Sequence, residues 1–364
     1  MVDPVDESDD SDDLRRRFED FAATSASRAP LYAALSRAVA RDRGLFELLR
    51  HAPPTQRLPV LLFACVHELL LEQPDHRLAQ WNPNLTPGYR SPAEPSLGRT
   101  FKGFVDEHHD RIVGLLATRT TQTNEVGRCG SFLPALGLLD AEVGALGLLD
   151  VGTSGGLTLL LDRYEYLYRS SDGAERTVGG SSPVRITVDV TGAAPVPVTM
   201  PTIAARCGID RRPIDVTDDD EAHWLEACIW PDQADRFHRL VAAIDIARAA
   251  PPEILAGDAV TSLRPAIEHV GRGAHPVVTN SWVLNYLTSD QRLAYLAELD
   301  RVGSERDLSW VYAEAPALIP ELPTGPDPKD PHLTVLSMVR WRGGDRSVDH
   351  LATVHPHGFW MHWR

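Results

Sequence analysis

Lysine is almost missing from this chain. Only Lys102 and Lys329 stand among 364 residues, so arginine carries nearly all of the positive charge. The formal balance is −15. An acidic surface disfavours nucleic acid and anionic membrane as general partners, because both are polyanions. Cysteine is sparse as well. Cys65, Cys129, Cys207 and Cys228 are widely spaced with no C-x-x-C pair, so neither a zinc ribbon nor a redox motif is indicated. Histidine offers no metal set: His108 and His109 lack i,i+4 partners, and His355 and His357 lack a third ligand. No stretch reaches about 18 apolar residues without a charge, so no membrane span is expected. The opening MVDPVDESDDSDD is acidic and polar, the reverse of a secretory signal. A reducing cytoplasm is the simplest location. Oligomeric state leaves no mark in the sequence.

What is present is a globular composition, 43% hydrophobic, long enough for two domains or one large one. Residues 1–13 read as a disordered acidic tail. Residues 14–140 read as a helical region without a clear strand, with apolar helical patterns over 58–72 and 101–116. After residue 140 the texture changes. Strands are expected over 146–151, 184–190, 253–256, 276–279 and 308–313, with helical patterns between them at 222–248 and 289–301. That alternation argues for a mainly parallel sheet. The segments 333–341, 349–354 and 359–363 read as antiparallel strands. The expected fold is therefore α/β: a Rossmann-like sheet over 141–364, closed by a C-terminal antiparallel hairpin. It carries a helical insertion at about 191–250.

The densest signal is LGLLDVGTSGGLTLLLDRY, residues 146–164. An apolar run breaks into Gly152-Thr153-Ser154-Gly155-Gly156, and apolar residues resume at Leu157, Leu160, Leu161 and Tyr164 with helical spacing. Strand, glycine turn and helix leave backbone N–H groups facing a ligand. Spacing separates three chemistries. The dinucleotide register G-x-G-x-x-G fails. The class I methyltransferase register places an acid two residues before the first glycine, then G-x-G-x-G. Asp150, Gly152 and Gly156 match it, while Ser154 replaces the middle glycine. The third pattern, G-x-S-x-G, would make Ser154 a hydrolase nucleophile, with the order Ser154, Asp258, then His355 or His357. No HGGG-like oxyanion run precedes it, and its strand reads as the first of the sheet.

The methyltransferase reading makes S-adenosylmethionine the expected cofactor and a small molecule the expected substrate. Binding falls to Asp150, Gly152, Thr153, Ser154, Gly155 and Gly156. Asp258 and Ala259 follow a strand at the adenine side, and Asn280 and Ser281 end the next strand near the acceptor. The ribose carboxylate is Asp189 by topology or Asp210 by local sequence. A second motif, TRTTQTNEVGRC at residues 118–129, concentrates hydrogen-bonding side chains just before the first strand. It is expected to fold over the glycine turn. Glu125 is the candidate general base, Asn124 and Gln122 orient the acceptor, and Arg128 holds a carboxylate. An ordinary exposed helical pair, Glu125 with Arg128, is the competing reading. A serine hydrolase and a non-enzymatic nucleotide-like ligand binder or scaffold stay open beside methyl transfer.

TQTNEVGRC and LLDVGTSGGLTLLLDRYEY resemble a bacterial and archaeal family catalogued only as a domain of unknown function, number 2332. WLEACIWPDQ (224–233), Gly257-Asp258-Ala259, NSWVLNYL (280–287) and VHPHGFW (354–360) are similar to it too. The resemblance covers nearly the whole chain after Leu14. It implies a second half like S-adenosylmethionine-dependent methyltransferases and brings no assigned substrate.

Overall fold

The computed structural model describes residues 11–323 and 334–364. The first ten residues of the expected acidic tail lie outside that description, while Ser11, Asp12 and Asp13 already belong to a helix. The chain forms two compact units. One runs to Thr123 and takes in Asp219–Val241; the other comprises Asn124–Asp218 and Ala242–Arg364. The border therefore falls between Thr123 and Asn124, earlier than the residue 140 expected from texture.

The first unit is helical. It holds α1 (Ser11–Ser25), α2 (Pro30–Val39), α3 (Arg43–Phe46), α4 (Pro59–Glu72), α5 (Ser96–Glu107) and α6 (His109–Thr118); α7 (Cys129–Val143) belongs to the second unit, and α8 (Asp219–Ala227) returns to the first. The sequence of α4, PVLLFACVHELLLE, is apolar all round, and such a helix is stable only when surrounded. Residues 61–70 are accordingly buried without a break. The Phe63 ring packs against those of Phe18, Tyr32 and Phe101. The 101–116 pattern is two helices, broken at His108. The 222–248 pattern is broken too, and α9 (Ala234–Ala249) starts only after Pro231. Trp224 is core, its Nε1–H donating to the Thr120 carbonyl at 2.9 Å.

The second unit is α/β. Its strands are β1 (Leu146–Val151), β2 (Glu165–Ser170), β3 (Glu175–Val178), β4 (Arg185–Thr191), β5 (Ile203–Asp210), β6 (Ile254–Ala256), β7 (His275–Ser281), β8 (Leu308–Glu314), β9 (Thr334–Arg342), β10 (Asp345–Val354) and β11 (Trp360–Trp363). They form one sheet in the order β3-β2-β4-β11-β10-β9-β8-β7-β1-β5-β6. The five strands β6-β5-β1-β7-β8 are all parallel. β9 and β10 add an antiparallel hairpin beside β8, as expected, and β11 then pairs antiparallel with β10 and parallel with β4. The helices α10 (Leu263–Val270) and α11 (Ser289–Glu305) bury Leu263, Ile267, Tyr295 and Leu299 in a core shared with β1, β5, β7 and β8. Thr288 and Gln291 close α11 with a capping box.

Three strands depart from the sequence expectation: β2, β3 and β5. The segment after the glycine turn is not an α-helix. It is a 3-10 turn over Leu157–Arg163, kinked at Leu160, and the chain passes straight into β2. The phenol O–H groups of Tyr164 and Tyr166 donate to the carbonyls of Leu157 and Leu161, both at 2.6 Å. The Leu161 carbonyl also accepts the Tyr164 backbone N–H, in the i→i−3 pattern of a 3-10 turn. The expected helical insertion at 191–250 contains β5, the parallel neighbour of β1. Among the described residues no helix is long and apolar enough to cross a membrane.

Candidate functional site

The order of the parallel strands reverses at β1. β5 and β6 lie on one side of it, β7 and β8 on the other. At such a point the loops leaving the carboxyl ends of neighbouring strands diverge and open a crevice, where α/β folds bind their ligands.

The end of β1 is held from both sides. Asp150 accepts hydrogen bonds from the Thr158 hydroxyl at Oδ2 and from the Thr279 hydroxyl, 2.8 Å away, at Oδ1. Burial raises its pKa, opposed by those hydroxyls. Gly152 and Thr153 then donate their N–H groups to the Ile209 carbonyl on β5. Gly152 is the exposed residue of the turn. Its φ is +73°, and a Cβ there would sit 2.4 Å from Val283 Cγ2, so the turns after β1 and β7 interlock.

Carboxylates end the neighbouring strands. Asp210, at the end of β5, accepts the Ser154 N–H at 2.8 Å on one oxygen and the Arg212 N–H at 2.9 Å on the other. Asp258, just after β6, accepts from the N–H of Val260 at 2.9 Å and from Arg211 Nη2 at 2.9 Å. These two contacts, in that order, hold its pKa below the usual carboxylate range. Ala259 is buried in the core behind it.

Backbone strain marks the same place. Ser154 (φ 54°) and Trp282 (φ 59°) are the two non-glycine residues with left-handed backbone among the described residues. That conformation costs an L-residue roughly 1–2 kcal/mol, and such strain gathers at functional sites. The two residues follow β1 and β7, the strands flanking the reversal.

Of the motif 118–129, the residues from Asn124 onward belong to the same unit as this turn, and Asn124 reaches it. Asn124 is buried and its Nδ2 donates to the Thr153 carbonyl at 3.3 Å. Glu125 is 4% exposed and precedes a short 3-10 turn, so it is not on an exposed helical face. Its Oε1 accepts the Gly127 N–H at 3.0 Å, and its Oε2 lies 3.1 Å from His357 Nδ1. Arg128 donates from Nε to the Pro356 carbonyl at 2.8 Å and from Nη1 to the carbonyl and hydroxyl of Ser281. The C-terminal loop thereby joins the site. A Cβ on Gly358 would lie 2.0 Å from the Gly127 carbonyl oxygen, so the two loops meet backbone to backbone.

A family model for an uncharacterized protein conserved in bacteria (DUF2332) matches residues 15–363. The chain belongs to that family. No curated protein and no solved structure matches this DUF2332 chain.

Most of the residues singled out in the DUF2332 sequence share one strand-end cluster: Asn124, Glu125, Arg128, residues 150–156, Asp210, Asp258 and Asn280-Ser281. Two do not. Asp189 sits on β4, six positions along the sheet from β1, because the second parallel strand is β5 and not the segment 184–190. Asp210, the other ribose candidate, is the one beside the turn. Gln122 belongs to the first unit, where its N–H donates to Cys228 Sγ at 3.4 Å. Gly156 serves packing: a Cβ there would lie 2.6 Å from Pro252 Cγ. One residue of the cluster was missed. Glu314 ends β8 fully buried, and its Oε1 accepts from Asn280 Nδ2 and the Val283 N–H, both at 2.8 Å, and from the Leu284 N–H at 3.3 Å. A carboxylate closing the apolar run 308–313 was the available signal.

Proposed function

We propose that the crevice binds S-adenosylmethionine and that the chain transfers its methyl group to a small molecule. The observation that carries this reading is the pair of carboxylates, Asp210 and Asp258, ending the second and third parallel strands beside the glycine turn. Each Asp210 oxygen has taken one N–H, which leaves lone pairs for the two hydroxyls of a ribose. Asp258 has an accessible edge for an exocyclic amine. Gly152 offers the turn's exposed backbone on the side away from Val283. The sulfonium supplies an already electrophilic methyl group. The chain's own work is then to align the acceptor and keep water out. Glu125, buried against the His357 imidazole, is placed to hold a proton taken from the acceptor. Arg128 fixes the Ser281 end of β7 against the C-terminal loop.

The left-handed backbone of Ser154 is the one observation that favours a serine hydrolase, whose nucleophile sits on a strained turn. Among the described residues Asp258 bonds Arg211 and the N–H groups of Val260 and Thr261, and no histidine. We therefore place methyl transfer first. Calorimetry tests the choice. Saturable heat is expected with S-adenosylmethionine and its demethylated product, with affinity at least about tenfold weaker in Asp210→Ala, the loss of hydrogen bonds to a charged acceptor. No heat with either ligand at millimolar concentration would defeat the proposal. So would fluorophosphonate labelling of the wild type that Ser154→Ala abolishes.

A further inference from the structure

Glu314 is not used by the chemistry above, yet it holds the turn that follows β7. Its Oε1 collects three N–H groups: the Asn280 side chain from β7, and the backbone of Val283 and Leu284 from the turn after it. The other carboxamide atom of Asn280, Oδ1, accepts the Trp310 Nε1–H at 2.6 Å. The turn so gripped contains Trp282 in its left-handed conformation and lays Val283 against Gly152. Glu314 Oε2 has no hydrogen-bond partner among the described residues. It belongs to a residue lining a small cavity with Tyr312, Ser337 and His350.

We propose that Glu314 is a positioning residue: ionised, it clamps the Asn280–Leu284 turn as one wall of the crevice, and proton uptake at its free oxygen loosens that wall. The charged carboxylate makes three charge-assisted hydrogen bonds to the turn, and neutralisation weakens all of them together. The groups that face it are Arg128, whose charge favours ionisation, and the hydroxyls of Tyr295 on α11 and Tyr312 on β8; Asp150 lies near Tyr295, and His350 on β10 shares the cavity. Burial outweighs Arg128 and the N–H donors and pushes the Glu314 pKa to about 7, so the clamp titrates at neutral pH. Ser337 Oγ lies 2.8 Å from His350 Nδ1, and the Pro323 carbonyl lies 2.9 Å from Nε2. The imidazole is thus engaged on both edges, away from the carboxylate.

The test uses the full chain labelled with 5-fluorotryptophan, with the Trp282 signal assigned by Trp282→Phe. In the wild type the Trp282 and Trp310 fluorine signals should move together on titration, with a midpoint near the Glu314 value of about 7. In Glu314→Gln, which keeps an acceptor oxygen but no titrating proton, both should be flat. A flat Trp282 signal in the wild type overturns the proposal. A titration that persists in Glu314→Gln also overturns it, because the proton then belongs to another group. If that variant fails to fold, His350→Gln decides: the Trp282 titration must survive there, and its loss rejects Glu314. A final arm rests on the S-adenosylmethionine reading. S-adenosylhomocysteine should bind at least about fivefold more tightly at pH 8 than at pH 6, the lower range of coupling between two sites, and Glu314→Gln should erase the difference. A fluorine titration without ligand heat at any pH supports the Glu314 clamp and rejects the ligand.

Discussion

The parallel half of the sheet and the half beyond it solve the same burial problem differently. Every residue of β1 and of β8 is buried. In β4 burial alternates, and β10 exposes its first three residues. Parallel strands covered on both faces read as continuous apolar runs; strands with one wet face alternate. In strands covered on both faces, such as β1 and β8, carboxylates are left to the strand ends. That is where Asp150, Asp210, Asn280 and Glu314 are found, each held by several partners. In the other half, Arg169 and Glu175 pair in the open, with about half of each side chain exposed. Buried polar atoms are thereby gathered together, which is what the proposed site draws on.

The comparison implies unequal sensitivity, and the largest effect belongs to Gly147 in β1. A Cβ there would lie 2.1 Å from the Val270 carbonyl oxygen, a backbone atom that cannot swing away. Gly147→Val should cost at least about 3 kcal/mol, the upper range of overpacking, and lower the melting temperature accordingly. Gly173→Ala, in the hairpin between β2 and β3, meets nothing within 4 Å and strains only its φ of +87°; its cost should be about 1 kcal/mol. Equal melting temperatures for the two variants would break the comparison.

Glu314 comes next. Its folded pKa of about 7 lies above the ordinary 4.5. Its contribution to stability is therefore fully present below pH 4.5 and is lost as pH rises through 7. Between pH 4.5 and pH 8 the wild type should lose on the order of 3 kcal/mol relative to Glu314→Gln, measured by urea unfolding at each pH. Parallel curves for the two proteins would show that the carboxyl is not buried as described.

Ser154→Gly should stabilise by roughly 1 kcal/mol, because glycine adopts a positive φ without strain, and Ser154→Val should destabilise by more than that. If glycine destabilises, the serine hydroxyl outweighs the strain, and the turn is built around it. The smallest effect is expected at Arg169→Ala, where an exposed pair contributes little. Its unfolding curve should overlay the wild type, and a clear shift would show that the outer half is as tightly coupled as the inner one.

The same contrast explains which elements were legible. The strands 146–151 and 308–313 stood out as mostly apolar runs, interrupted only by Asp150 and Ser309, because both faces are covered. β5, IAARCGID, is buried only over Cys207, Gly208 and Ile209, so it lacked such a run and vanished into the expected insertion. β2 was hidden by Leu157, Leu160, Leu161 and Tyr164, whose helical spacing is satisfied by a kinked 3-10 turn. The alternation of Tyr164, Tyr166 and Tyr168 was the strand signal. The open choice between Asp189 and Asp210 has the same origin: with β5 unseen, topology offered the carboxylate of 184–190, whereas the sheet order sets Asp210 beside the turn and Asp189 far from it. Glu125 was legible as a polar residue in a dense motif, but its partner was not. His357 lies more than two hundred residues away, and spacing cannot show that the loops of Gly127 and Gly358 touch.

The strand β11 has a consequence in time. It stands between β4 and β10, and within the sheet it alone links the ribbon β3-β2-β4 to the other strands. Yet it follows all of them in the chain, and its contact with Thr191 spans 170 residues. Pairings of such long range are slow to form. As the chain emerges N-terminus first, β4 and β10 must each wait with a bare edge for the same four residues. Until those arrive, both edges are open to pairing with the wrong partner.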